Sequence, residues 1–306
     1  MSKKKQIFKI IILVLSFLII AGAVVFVAIN PYIFRYYFDN ETYDISEKAN
    51  SGEITLMSFN VRSRANSDTY KKSWYYRANL TLKIIKQEQP DIIGFQEAQI
   101  IHEKYYQKHL KGYTFQQGYR EGSKDKEGTL ILYRNDIFDA RNAGLFWLSE
   151  TPDVQSKDWG SDCFRVANYV TLKNKNNDNI FTIINTHLDH ISEEARVKGM
   201  GVIISKVEEL NLVNPIIMGD MNDTENSSMY QIATNYGLND AQKVATEKYI
   251  GAGATYHAYG KGLNYPRIDF FFVKPLINVN DYHVVDTKFN GVYPSDHFPI
   301  VVKCSL

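Results

Sequence analysis

Cysteine is nearly absent from this chain: Cys163 and Cys304 are the two among 306 residues. Two cysteines exclude a disulfide-stapled scaffold and leave open either one bridge or two separate thiols. An excess of one charge is missing as well. Lys and Arg number 35 against 34 Asp and Glu, for a net charge of +1. With six basic and four acidic side chains in residues 1–52, the remainder carries about −1. Non-specific DNA binding draws on a strong basic excess, so any phosphate must be bound here by a local arrangement. Low-complexity tracts and repeats at solenoid or propeller spacing are also lacking. What remains is a globular composition, long enough for one large α/β domain or two small ones.

One long apolar run stands apart. Lys3, Lys4, Lys5 and Lys9 precede about 20 uncharged residues from Ile10 to Ile29, enough to cross a ~30 Å hydrocarbon core. The aromatic cluster Tyr32, Phe34, Tyr36, Tyr37 and Phe38 follows, as at a membrane interface. The expected layout is a cytoplasmic basic segment (1–9), a transmembrane signal anchor (10–30), a linker (31–52) and a folded domain (53–306). Lysines ahead of the span place the domain on the extracytoplasmic side of the cell membrane. The alternative is secretion after cleavage near Ala21-Gly22-Ala23, which leaves a very apolar new N-terminus.

Within the domain, alternation and β-branching predict strands at 54–61, 92–97, 129–133, 167–172, 180–185, 215–220, 268–273 and 299–302. Helical spacing predicts helices at 75–86, stopped by Pro90, and at 193–210. The polar turn 173–179 makes a hairpin of its flanking strands. Strands that alternate with helices in some places and pair as hairpins in others argue for two packed sheets flanked by helices.

Several of these strands end in a polar or ionisable residue: Asn60, Glu97, His187, Asp220 with Asn222, Asp269, and the pair Asp296-His297. Each has an ordinary explanation alone, as a turn former, a helix start or a satisfied histidine. Together they suit phosphoester hydrolysis. Carboxylate and amide oxygens without cysteine favour a hard cation such as Mg²⁺. A carboxylate such as Asp220 can accept a proton from water, and imidazoles can stabilise charge on phosphate oxygens. A second carboxylate, Asp269, suits the task of holding His297.

In these motifs and their order, residues 53–306 resemble the endonuclease/exonuclease/phosphatase family of DNase I-like enzymes. Gly144 to Asp153 and Thr186 to Arg196 look like segments of a bacterial branch of it. The resemblance implies an α/β fold: a four-layer α/β sandwich of two mixed β-sheets flanked by helices, here preceded by one N-terminal transmembrane helix. Carried over by motif, it implies Asn60 and Glu97 at an Mg²⁺ site (Mn²⁺ being the alternative ion), with Asp296 supporting the metal or its waters. It implies Asp220 and Asn222 positioning water and phosphate, and His187 and His297 contacting the phosphate, with Asp269 orienting His297. Met221 replaces the aromatic residue of the usual Gly-Asp-Phe-Asn. Arg165 and Arg196 are weaker candidates for phosphate contacts. The Gly- and Tyr-rich stretch 249–265 is either a plain loop or a wall of the substrate groove able to stack on a base.

The expected activity is that of a surface-anchored, metal-dependent phosphodiesterase, first of all a nuclease acting on extracellular nucleic acid. The alternatives are a phosphatase or phospholipase-C-type, sphingomyelinase-like enzyme acting on a phosphorylated lipid, sugar or nucleotide, and a non-catalytic binding module on the same fold. Nothing in the sequence calls for an obligate protein partner.

Overall fold

The computed structural model describes residues 3–48, 52–122, 127–251 and 253–306. The chain forms two compact units, Met1–Glu41 and Thr42–Leu306. In the first, α1 (Lys3–Ile29) is long and apolar enough to be a membrane span or a signal sequence, and its apolar side chains are exposed. Pro31 then opens α2 (Pro31–Phe38), at the position where a missing N–H costs nothing.

The second unit starts inside the stretch read as linker. There β1 (Tyr43–Asp44) pairs in parallel with a short strand at Leu110–Lys111, and Lys48 Nζ lies 2.8 Å from Asp91 Oδ2. The elements that follow are β2 (Ile54–Asn60), α3 (Trp74–Glu88), β3 (Ile92–Ala98), α4 (Ile100–His109), β4 (Leu110–Lys111), β5 (Tyr113–Gln116), β6 (Gly128–Arg134) and β7 (Phe138–Trp147). Next come β8 (Val166–Asn174), β9 (Ile180–His187), α5 (Glu193–Glu209), β10 (Pro215–Asp220), α6 (Ser228–Asn235), β11 (Asn239–Asp240), α7 (Ala241–Val244) and β12 (Glu247–Tyr249). The last three strands are β13 (Asp269–Val273), β14 (Asn278–Val284) and β15 (Ile300–Ser305).

Two mixed sheets result. One runs β11-β13-β10-β9-β8-β7 and the other β12-β14-β15-β2-β3-β6-β5. Their facing sides share an apolar core that includes Leu56, Ile92, Ile131, Val170, Ile183, Met218, Phe271 and Val302. The outer face of the six-stranded sheet packs Ile184, Ile217, Phe270 and Phe272 against Met200 and Ile203 of α5 and Met229 of α6. On the outer face of the seven-stranded sheet, the Phe95 ring stacks on Tyr106 of α4, with centroids 4.5–5 Å apart as offset-stacked aromatic pairs prefer (4.6 Å). This is the four-layer sandwich expected from the sequence. Central strands are covered on both faces, so burial does not alternate along them, and β2 is buried at all seven positions.

Polar groups also cross between the sheets. Asn185 Nδ2 of β9 donates to the carbonyls of Phe95 (2.9 Å) and Leu130 (3.1 Å), and its Oδ1 accepts from Gln96 Nε2 at 2.7 Å. Gly94 permits this closeness: a Cβ there would meet Met218 Cε and come within 2.9 Å of Asn185 Cγ. Cys163 and Cys304 are both free thiols, with Cys304 buried, so the two-thiol alternative holds.

Candidate active site

Three site residues lie in one row across the six-stranded sheet. Asp220 is the register partner of His187 on parallel β9 and of Asp269 on antiparallel β13. Their strands end together, so the side chains converge at one edge. Gly219 makes the approach close: at φ +145° its hydrogen faces the Thr186 carbonyl, where a Cβ would clash. The seven-stranded sheet supplies the opposite side. Asn60 ends β2, Glu97 lies in β3, and Asp296-His297 precede β15, which pairs with β2.

Glu97 has φ +57° and falls where the β3–β6 register shifts between Phe95 and Ala98. Such a bulge redirects a side chain out of the strand's alternation. Arg62 and Asn222 also take left-handed backbone, at φ +56° and +49°. Strained conformations of this kind gather where neighbouring structure fixes them for a purpose.

Asn60 ties the two halves together. Its Nδ2 donates to Glu97 Oε1 at 3.0 Å and to Asp220 Oδ2 at 2.9 Å, and lies 3.4 Å from His297 Nε2. Its Oδ1 accepts from the Arg62 N–H at 3.0 Å. His297 Nδ1 is 3.0 Å from Asp269 Oδ2, and its Nε2 is 3.6 Å from Asp220 Oδ2. His187 Nε2 stands 3.4 Å from the same Asp220 oxygen. Asp220 Oδ1 accepts from the Asn222 N–H at 3.0 Å, and Asn222 Nδ2 donates to the Leu188 carbonyl at 3.0 Å.

This packing separates the two histidines electrostatically. Burial opposes charge on His297, but Asp269 and Asp220 overcome it and raise the imidazole to about 10. His187 is held well below its ordinary value by burial, with Arg165, Arg120 and His297 adding repulsion. One ring is therefore a cation at neutral pH and the other a neutral imidazole. Burial and the nearby Asp269 push Asp220 up to about 7.

Glu97 and Asp296 offer hard oxygen donors beside this network. Burial and repulsion from Glu97 push Asp296 above the usual carboxylate range. Burial acts the same way on Glu97, yet the Ser63 N–H at 2.9 Å, with His297 and Arg62, brings it below that range. A buried and a partly buried carboxylate that repel each other fit a divalent cation, which relieves both penalties. Asp220, Asp269 and His297 can likewise bring one ligand atom each to within 4.8 Å of one another.

All of this faces a cleft of about 320 Å³. Of the residues expected from the sequence, Glu97, Arg165, His187, Asp220, Asn222, Asp296 and His297 line it, and Asn60 and Asp269 stand directly behind. Arg196 is not in the lining. Its Nε binds Asp223 at 2.9 Å and its guanidinium donates to the Asp189 carbonyl at 3.0 Å. Arg165 is in the wall, 3.1 Å from His190 Nδ1 and 3.5 Å from Asp189 Oδ2. Tyr256 of the Gly- and Tyr-rich stretch also lines the cleft, its ring 5.0 Å from that of His297 and stacked on Tyr265.

Sequence reasoning missed Arg62, Ser63, Arg120 and Glu127, which reach the cleft from loops. Only Arg62 carried a signal, as it stands two residues past Asn60.

Comparison with known proteins gives a consistent answer. The model of the Endonuclease/Exonuclease/phosphatase family matches residues 57–297. A solved family protein from Bacteroides thetaiotaomicron is 31% identical with a TM-score of 0.77, covering 82% of this chain and 97% of its own. A mannosyl-6-phosphatase from the same species is 31% identical with a TM-score of 0.76, covering 83% and 100%. TDP2 of D. rerio bound to a single-strand DNA product is 18% identical with a TM-score of 0.63, covering 84% and 100%, and shares the fold. An uncharacterized protein, L388, of Acanthamoeba polyphaga mimivirus is 26% identical over 249 residues, 75% of this chain and 91% of that protein.

Proposed function

Because the chain belongs to the endonuclease/exonuclease/phosphatase family, we propose that it is a Mg²⁺-dependent phosphoester hydrolase anchored by its N-terminal helix. The observation that carries this reading is His297, held by Asp269 beside Asp220, with Asn60 bridging Asp220 to Glu97 at a cleft that also holds Asp296. Glu97 and Asp296 would hold the ion, Mg²⁺ before Mn²⁺ by donor type, with Asn60 orienting Glu97. When bound, it neutralises charge on the phosphate oxygens.

The chain's own groups do the rest. Asp269 accepts from Nδ1 of His297 and fixes the ring with its Nε2 proton toward the cleft, where it stabilises a phosphate oxygen. Asp220 takes the proton of the attacking water, and a carboxyl held near 7 is matched to that task at neutral pH. His187, neutral, donates a hydrogen bond without adding charge, and Asn222 places the phosphate beside Asp220.

On substrate, the reading we favour is a small phosphomonoester, a phosphorylated sugar first. At about 320 Å³ the cleft is at the small end of the ~300–1,000 Å³ usual for ligand pockets. The 31% identity to a mannosyl-6-phosphatase supports the same choice. The stacked Tyr256–Tyr265 pair beside His297 favours a second reading, a nuclease using the rings as a base platform. Assaying the full chain in detergent with Mg²⁺ decides between them, using mannose 6-phosphate, bis-p-nitrophenyl phosphate, single-strand DNA and RNA. Phosphate release from the sugar ester with intact nucleic acid is expected. Cleavage of nucleic acid alone reverses the order, and inactivity on every ester overturns the hydrolase reading.

From the four lysines before the span we infer that the hydrolase lies outside the cytoplasm; protease added to intact cells should then remove the domain and leave the anchor.

A further inference from the structure

Beyond His187 the cleft leads into a recess of about 10 Å³ lined by Arg120, Glu127, Gly128, Thr129, Arg165, Val166 and His187. Three buried polar atoms of these lining residues have no hydrogen-bond partner among the described residues: Arg165 Nη1, Thr129 Oγ1 and Arg120 Nε. Arg165 is 5% exposed and Thr129 3%. Leaving a buried donor without a partner is costly, the more so when it is charged. Three such atoms on the residues of one recess are therefore suited to bind an oxygen. The volume is about one water sphere, so a single hydroxyl fits and a ring does not.

The charge pattern narrows the ligand further. Arg120 is paired to Glu127 at 3.1 Å, so the recess presents two guanidiniums and a carboxylate together. A second phosphate, as in a polynucleotide, exceeds a volume of about one water. A hydroxyl suits the set, because it accepts from an arginine while donating to a carboxylate or to the Thr129 oxygen.

We propose that this recess is the leaving-group subsite, in which Arg165, Thr129 and Arg120 bind one hydroxyl of a polyhydroxylated, sugar-like alcohol. The inference rests on the phosphoester hydrolase reading above and assigns Arg165 to specificity rather than to the scissile phosphate.

The test compares the full chain in detergent with Arg165→Lys, Arg165→Ala and Thr129→Val. Each is assayed on mannose 6-phosphate and on phenyl phosphate, which lacks the hydroxyls. The ratio of the two kcat/KM values should fall about 10- to 100-fold in both Arg165 variants, the loss of one charged hydrogen bond. It should fall less in Thr129→Val. Titration calorimetry of mannose 6-phosphate in excess chelator, where turnover is blocked, should show binding weakened to a similar degree.

An unchanged ratio, with both substrates losing equally, assigns Arg165 to the phosphate or to its ion pair with Asp189 and overturns the inference. So does a wild-type enzyme that cleaves phenyl phosphate but no sugar phosphate. A wild-type enzyme inactive on both esters instead overturns the hydrolase reading itself. Arg165→Lys keeps a cation for Asp189, so loss of folding in Arg165→Ala alone still leaves the ratio measurable.

Discussion

Asp269 Oδ2 accepts from His297 Nδ1 at 3.0 Å, joining the first residue of β13 to the approach of β15 across the edge where the two sheets meet. The contact sets the orientation of the ring and favours its charge. Asp269→Asn should therefore reduce phosphoester turnover by about 10²–10⁴-fold, the range for a positioned proton-handling group. The His297 ring should also titrate at lower pH in NMR spectra of the variant. A variant with full activity would remove Asp269 from the chemistry.

Glu97 is partly buried near Asp296 and aimed by Asn60 and Ser63. Chelation by EDTA should abolish turnover, and adding Mg²⁺ back should restore it. Glu97→Gln should need a higher Mg²⁺ concentration for half-activation, because a charged oxygen ligand is lost. Activity that survives exhaustive chelation contradicts the ion-dependent reading.

Gly94 faces Met218 and Asn185 across the sheet interface. Gly94→Ala adds a carbon where Asn185 is pinned by three hydrogen bonds. Overpacking of this kind costs about 1–3 kcal/mol. Urea denaturation should show that loss, and kcat should fall with it, since the two halves of the cleft are pushed apart.

His283 is not among the residues lining the cleft, and its Nε2 lies 2.9 Å from Glu88 and its Nδ1 2.8 Å from Asp281. The Glu88 hydrogen bond leads the effects that raise this imidazole above its ordinary value of 6.5. A raised folded-state value gives stability that is fully present below about 6.5 and is lost as pH rises through the folded value. The stability difference between wild type and His283→Gln should be largest in mild acid and shrink toward alkaline pH. A difference that grows with pH would contradict the ion pairs.

The strands that build the site were readable in the sequence because they are short, fully buried apolar runs ending in a polar residue. β10 ends in Asp220 and β9 in His187, and no other segment pattern competes with such runs. β7 and β14 were not readable for the opposite reason. β7 is an edge strand, exposed from Asp139 to Ala143, and β14 carries Asn280, Asp281 and His283 on its partly exposed face. Neither shows an apolar rhythm. α4 escaped as well, since Glu103, Lys104, Gln107 and Lys108 interrupt its buried tyrosines. In the site, Asn60, Glu97, Asp220, Asp269 and His297 could be grouped from sequence because each ends or adjoins a strand. Arg120 and Glu127 could not, because loop positions acquire a place only when the sheets close beneath them. Arg196 is the weaker of the two arginine candidates in sequence, and Asp223 pairs with it outside the cleft lining, a pairing that sequence spacing does not show.

The inter-sheet contact at Gly94 also bears on how this scaffold can change over time. Each sheet carries an incomplete set of reactive groups, so their spacing works as a gauge block for the chemistry. Loops above the edge can vary and admit new alcohols while the gauge is kept. Drift in the layer between the sheets would be felt as lost turnover before it was felt as lost folding.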